Sequence, residues 1–318
     1  MKKLPLSNPN FRYLEQSFSE WLDILGYAPT TVYGLPIHVR ELLVYLEQQE
    51  LKNINQLEIK HINDYYKKLS IRTNNIKGGA LSNSHLNKHI QAIRKFCEYL
   101  RQVGRIEISE LTLKNEKLED RKPEHLTPKE IQQLFNSTKK EYPRNSRTSE
   151  EFIATLKARD KAMLAIYYGC GARRTEGISI NVSDINWDRA VLHIKKGKRY
   201  KERLVPISKQ SLKYLQEWIY DYRPIWINNN RKTDRLFISE RGTKISGQTL
   251  LLRLKILQEL TENTTLINKE IGLHTLRHSI ATHLLQAGMP LESISRFLGH
   301  SSLESTQIYT HLAQENDL

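Results

Sequence analysis

Cysteine is nearly absent from these 318 residues, with Cys97 and Cys170 the only two. Two thiols are too few for a disulfide framework or a four-cysteine zinc site. Long apolar runs are missing as well: the most apolar stretch, AMLAIYYGCGA over residues 162–172, falls well short of the roughly 20 residues that span a bilayer. The opening MKKLPLSNPN carries two lysines but no apolar segment of the kind a secretory signal needs. A reduced, cytoplasmic setting is therefore expected. No internal repeat or low-complexity tract stands out.

What the chain has in excess is positive charge. Its 49 Lys+Arg against 35 Asp+Glu leave a formal charge of +14, which favours a polyanionic partner without separating nucleic acid from an anionic membrane. The length suits about two domains, each able to bury its own core.

The first hundred residues read as helices. Phe11, Leu14, Phe18, Leu22 and Leu25 recur at helical intervals ahead of Gly26; a second helix from about Thr31 to Gln49 turns Val39, Leu42, Leu43 and Leu46 inward; a third carries Ile59, Ile62, Tyr66 and Leu69. The fourth runs through Leu86, Ile90, Ile93, Phe96 and Leu100, after caps at Ser82 and Asn83 and before Gly104. Lys88, Arg94 and Lys95 lie off its apolar stripe, on a face that is either solvated or turned to DNA. The expected division is a helical domain over 1–109, an exposed charged linker over 110–122 and a second domain over 123–318. That second domain begins with a capping box, Thr127 to Glu130, around Pro128. STKKEYPRNSRTSEE reads as a mobile loop, and AVLHIKKGKRYKERLVPIS as a β-hairpin with a basic turn.

Three clusters in the second domain carry chemistry. In GCGARRTEG, Arg173 stands three residues before Glu176, a spacing that equally makes a surface ion pair, with Arg174 beside it. In the hairpin turn KKGKRYKER, six cations and one carboxylate fall within nine residues, which suits phosphate contact or a merely exposed turn. In HTLRHSIATHLLQAGMP, His274 and Arg277 lie near a helix start, where unpaired N–H groups favour an anion. His274 and His278 have i,i+4 metal-ligand spacing, but Arg277 would repel a cation and no carboxylate completes a zinc-hydrolase pattern, so no metal is expected there. Finally, in LGHSSLESTQIYTHL, Gly299 ends one helix, His300 follows in the turn, and Ser301 with Glu304 caps a helix carrying Tyr309. By itself a tyrosine there is as well explained by packing.

Taken together and in order, Arg173, Lys198, HTLRH, LGH and Tyr309 resemble the tyrosine recombinase (phage integrase) family, and especially its Xer-like members. The resemblance spans nearly the whole chain. It implies a mainly α fold with a small β-sheet: a helical, SAM-like core-binding domain followed by a mixed α/β catalytic domain. It implies cleavage and rejoining of duplex DNA through a covalent 3′-phosphotyrosine, for DNA integration, excision or dimer resolution, with no cofactor and no metal. By position, Arg173, Lys198, His274, Arg277, His300 and Tyr309 are the catalytic set and Glu176 supports the first arginine. Arg199 stands where the family's turn usually has glycine; counting back from KERLVP without a gap selects Lys198. Lys88, Arg94, Lys95, Lys196, Arg199 and Lys201 are the candidate DNA contacts. The implied partners are a double-stranded recombination site and further copies of the chain in a tetrameric synapse. No extra arm-site DNA-binding domain is expected ahead of the first helix. The rival readings are a relative that binds DNA without strand exchange, a metal-dependent nuclease built on the histidines, and a type IB topoisomerase.

Overall fold

The computed structural model describes residues 4–74, 78–106, 113–118, 124–143, 149–195, 202–227, 233–299 and 306. The chain is mainly α-helical with one small sheet, and it divides into two compact units, Met1–Asp120 and Arg121–Leu318.

The first unit is built from four helices whose starts are set by local chemistry. Asn8 accepts from the backbone N–H of Asn10 and Phe11, and Pro9 takes the first helical position of α1 (Pro9–Ile24). Gly26 follows with φ +73, a left-handed conformation that ends the helix at little steric cost. α2 (Pro29–Gln48) starts at a proline and holds a second, Pro36, inside its first two turns. α3 (Ile59–Ser70) and α4 (Asn83–Gln102) complete the set, the latter capped by Ser82 on the His85 N–H. Phe11, Phe18, Val39, Leu42, Leu46, Ile62, Ile90, Ile93 and Phe96 meet in one core, with the Phe18 and Phe96 rings edge to face at 5.3 Å.

Two details differ from expectation. The inward stripe of α3 runs through Tyr65, while Ile59 is 37% exposed and Tyr66 turns its hydroxyl onto Glu116 at 2.5 Å. Residues 113–118, expected as exposed linker, are tied along α4: Asn87 bonds the backbone of Glu116 in both directions, Asn83 bonds Lys117 O, and Leu113 is buried. The apolar pattern of that stretch is too short to show such a strap.

The second unit is organised around α6 (Glu150–Leu164) and the π-turn Ala165–Gly169 that continues it. The most apolar run of the sequence falls here because Ala162, Met163, Leu164, Ala165, Ile166 and Tyr167 are all buried, with neighbours on every side. α5 (Pro128–Ser137) has the expected capping box of Thr127 and Glu130. Tyr142, in the stretch read as a mobile loop, is buried and donates to Asp160 at 2.8 Å; residues 144–148 lie outside the described residues. α7 is the single turn Arg174–Gly177. Strands β1 (Ile185–Asn186), β2 (Val191–Ile194) and β3 (Arg203–Pro206) form an antiparallel sheet in that order, with Leu192 paired to Val205. The hairpin is as expected; β1, only two residues long, left no periodic trace. α8 (Lys209–Gln216), a π-turn at Glu217–Tyr222 and α9 (Arg223–Trp226) cover the core with Trp218, and α10 (Gly247–Leu260), α11 (Thr264–Ile267), α12 (Leu273–Gln286) and α13 (Leu291–Leu298) close it. No helix among the described residues is long and apolar enough to cross a membrane.

Asp160 is fully buried and accepts from Tyr142 and, at 2.7 Å, from Arg253 Nη2. Asp160→Ala removes the carboxylate and leaves a mostly buried guanidinium uncompensated, so a loss of about 3–5 kcal/mol in urea unfolding is expected. An equilibrium titration that moves by less than about 1 kcal/mol would show the network to be dispensable.

Candidate active site

The turn after α6 carries the first arginine because glycine lets it fold back tightly. Gly171 has φ +58, and a Cβ there would come within 2.9 Å of the Phe297 ring and 3.0 Å of Leu298. Its carbonyl accepts from Arg277 Nη1 at 2.6 Å, so the same turn that delivers Arg173 also anchors the arginine of α12.

Glu176 is the centre of the arrangement. One carboxylate oxygen accepts from Arg173 Nη1 at 2.8 Å and from Arg203 Nη1 at 3.0 Å; the other accepts from the Arg173 backbone N–H and from Arg203 Nη2, each at 2.8 Å. Arg277 Nη1 lies 3.9 Å from that second oxygen. Burial alone would raise the Glu176 carboxyl, but the Arg203 fork, with Arg173's backbone and side chain, brings it down to about 2. Among the described residues, three guanidiniums thus face one carboxylate.

The same arginines grip the end of α13. Arg203 Nε donates to Phe297 O at 2.9 Å, Arg277 Nη2 to Leu298 O at 2.7 Å and Arg173 Nη2 to Gly299 O at 2.8 Å. The last carbonyls of a helix have no partner within it and carry its negative end, so three cations satisfy both needs. Gly299, with φ +66, has room for no side chain: a Cβ would meet Arg203 Nη1 at 2.8 Å. Leu298 and Gly299 of the LGH motif are thus held at their carbonyls by the arginine cluster.

His274 is exposed on the first turn of α12, one turn before Arg277. Partial desolvation, then the charges of Arg277 and Arg173, lower its pKa, so the ring is neutral at neutral pH and has a lone pair to accept a proton. His278, its ring centroid 6.3 Å from that of His274, is lowered to about 4, by burial first and His274 next. Arg174 departs from its neighbour: it lies over Gly247 and reaches Gln248 at 3.4 Å. Gly177 accommodates Tyr167, whose ring a Cβ there would overlap and whose hydroxyl donates to Arg174 O at 3.1 Å. Cys97 and Cys170 are buried, and burial raises both thiols to about 12, which leaves them without nucleophilic character.

Of the residues singled out from the sequence, the fold brings together Arg173, Glu176 and Arg277, with His274 beside them. Lys196, Lys198, Arg199, Lys201, His300, Tyr309 and the Ser301–Glu304 cap lie outside the described residues. On α4, Lys88 is exposed, Lys95 pairs with Glu98 at 2.6 Å, and Arg94 is committed to Leu113 O and Asn115. Arg203 was not singled out beyond its place among the turn's cations. Its signal is the strand period: β3 alternates buried and exposed from Arg203, which puts a cation on the inward side of RLVP.

The family model described as "Phage integrase family" matches residues 124–316, more than half of the chain. The chain belongs to the phage integrase family. Among curated proteins, this family member is 30% identical over 299 residues to tyrosine recombinase XerD of Pasteurella multocida (strain Pm70), covering 91% of this chain and 89% of the relative. It is 34% identical over 243 residues to tyrosine recombinase XerD of Yersinia pestis, covering 76% and 75%. Its enzyme class is accordingly that of a tyrosine-type site-specific recombinase, of the Xer-like kind. Solved structures agree on the fold. The XerH site-specific recombinase bound to palindromic difH substrate superposes with TM-score 0.68 at 19% identity, covering 98% of this chain and 89% of that one. The Tn1549 transposon integrase (residues 82–397) in complex with circular intermediate DNA gives TM-score 0.66 at 16% identity, covering 96% and 98%.

Arg203→Ala would withdraw the fork under Glu176 and the bond to Phe297 O together. The expected cost is about 3–5 kcal/mol of stability, of which Arg203→Lys recovers only part because an ammonium cannot reproduce the fork. Acid unfolding checks the cause. A carboxylate whose folded pKa lies below its ordinary 4.5 contributes stability that is present above that value and lost as pH falls towards about 2. Urea titrations in that window should show a shallower pH dependence for Arg203→Ala than for the unaltered protein; an unchanged slope would remove Arg203 as the source of the shift.

Proposed function

We propose that this recombinase cuts and rejoins duplex DNA at a recombination site, with Tyr309 as nucleophile. The phenolic oxygen forms a bond to the scissile phosphorus and the bond from phosphorus to the 5′ oxygen breaks, leaving a 3′-phosphotyrosine and a free 5′-hydroxyl. The ester keeps the bond energy, so the reverse attack by a 5′-hydroxyl from another strand reseals the DNA without ATP. Arg173 and Arg277 contact the non-bridging oxygens, where planar guanidinium groups match phosphate and offset the charge that grows in the transition state. His274 takes the phenol proton, His300 donates a hydrogen bond to the phosphate, and Lys198 protonates the departing 5′ oxygen. The observation that carries this reading is the joining of Arg173, Glu176 and Arg277 around the backbone of 297–299, in a member of a family whose chemistry uses such a set. Lys88, Lys196, Arg199 and Lys201 contribute backbone phosphate contacts, which position DNA without specifying sequence. Arg94 and Lys95 add to that surface only through charge not already paired within the unit. Exchange between two duplexes requires four copies of the chain in a synapse. XerH is bound to palindromic difH substrate, and the Tn1549 transposon integrase to circular intermediate DNA, in the structures named above.

Tyr309→Phe should bind its DNA site nearly as well as the unaltered protein and never become covalently attached, because one hydroxyl is removed and the aromatic ring remains. A denaturing gel that still shows a protein–DNA adduct would sink the assignment.

Lys198→Ala tests the acid. The leaving 5′ alkoxide needs a proton, whereas a 5′ thiolate, with an ordinary thiol pKa of about 8.5, leaves without one. The variant should be nearly inactive on normal DNA and largely restored on DNA with a bridging 5′ sulfur at the scissile phosphate. Arg173→Ala and Arg277→Ala, which lose charge stabilisation, should be restored far less. Rescue seen with Lys196→Ala or Lys201→Ala in its place would reassign the acid.

A further inference from the structure

The first unit contains a group that strand exchange does not use. His38 on α2 and His85 and His89 on α4 turn their rings towards one another, with ring centroids separated by 4.3 Å for His38 and His89, 5.0 Å for His85 and His89 and 5.4 Å for His38 and His85. One ligand nitrogen from each lies within 4.8 Å of the others. His89 is fully buried and the other two are half-buried. His85 and His89 are four apart, so they share one face of α4, and His38 meets them from the facing helix.

We infer that His38, His85 and His89 form a binding site for a divalent zinc-class cation that ties α2 to α4, outside the residues of strand exchange.

The geometry suits the ion. His38 Nδ1 and His89 Nε2 are 3.1 Å apart, close to the roughly 3.3 Å between two tetrahedral ligands each 2.0–2.1 Å from zinc. The other nitrogen of His89, Nδ1, is 3.2 Å from the Tyr65 hydroxyl on α3, the outer hydrogen bond that a metal-ligating histidine commonly has and that directs the opposite lone pair inward. Burial raises the Tyr65 hydroxyl's pKa, which keeps it a neutral partner. The Glu41 carboxylate, on α2 one turn from His38, stands 4.0 Å from His89 Nε2, and the same oxygen accepts from Arg72 at 2.7 Å, so its charge neutralises Arg72 and leaves Lys88, beside His85, opposing a cation. A packing role alone would be served by aliphatic residues, and a hydrogen-bonded chain from Tyr65 through His89 to His38 leaves the convergence of His85 unexplained.

The test uses the full chain without DNA, so its result is independent of the recombination reading. After chelation and dialysis, the protein is titrated with Zn2+, and separately with Co2+, whose visible d–d absorption reports a tetrahedral site. The expected result is one ion per chain, the tetrahedral absorption band, and a rise in melting temperature of several degrees that EDTA reverses. His38→Gln and His85→Gln, both at half-buried positions, should abolish the band and weaken binding by roughly 100-fold, and Tyr65→Phe should weaken it by roughly tenfold while keeping the band. Circular dichroism confirms that each variant is folded, and His274→Gln should leave metal binding unchanged. No tetrahedral band with the unaltered protein, equal binding by His85→Gln, or loss of binding in His274→Gln would overturn the site.

Discussion

A single carboxylate shared by three guanidiniums is the constraint on which the second unit depends. Glu176 cannot be buried as an anion without partners, and Arg203 and Arg277 cannot be buried as cations without acceptors. Each need is met by the other, with the fork of Arg203 on both oxygens of Glu176 as the tightest link. Among the described residues, further donors of these arginines are directed to backbone: carbonyls of residues 171, 297, 298 and 299 accept from them. The cluster is therefore a set of polar nails through four separate segments rather than a surface patch.

That geometry joins catalysis to folding. The segments meeting at Glu176 lie far apart in the chain, with Arg173 and Gly299 separated by 126 residues and Arg203 and Phe297 by 94. None of the contacts forms locally except the i,i+3 pair of Arg173 and Glu176, so the site comes into being only when α12, α13, β3 and the turn after α6 have all docked. Such non-local closure costs loop entropy, which the surrounding apolar core has to offset. The core accordingly wraps α6 on all sides, and the turn that carries Arg173 issues directly from its buried end. Glycine at 171 and 299 is a requirement of the same close approach, since a side chain at either place would occupy the space of Phe297, Leu298 or Arg203.

Much of this was legible beforehand where a single element carries the signal. The helical periods of α1, α2 and α4, the caps at Ser82 and Thr127 and the hairpin of β2 and β3 are local patterns, and they appear in the structure as read, except that Leu25, expected on the stripe of α1, stands just past its end and is 52% exposed. Arg173, Glu176, His274 and Arg277 were recognisable because their order and spacing match a family pattern, not because spacing can show that they converge. Arg203 was hidden by its surroundings: in KKGKRYKER it is one cation of six, and only the strand register separates an inward arginine from outward lysines. The histidine trio escaped for the opposite reason. His85 and His89 form a visible i,i+4 pair, but the third member lies 47 residues upstream of His85, on a helix whose packing partner no periodicity identifies.

The surroundings of the cluster obey the same packing logic. Gly177 leaves the space that a side chain would take to the Tyr167 ring, whose hydroxyl anchors Arg174 O. Arg174, freed from the cluster, packs on Gly247 at the start of α10. Among the described residues the cluster keeps its structural anion in Glu176, shared by three arginines once Arg174 is excluded, with Arg173 the more exposed of the three. Binding of an anion there relieves mutual repulsion among groups already fixed in place, with little of the reorganisation that water or mobile side chains would require. Preorganised charge of this kind favours the species that carries the most negative charge, and for a phosphodiester under attack that species is the transition state.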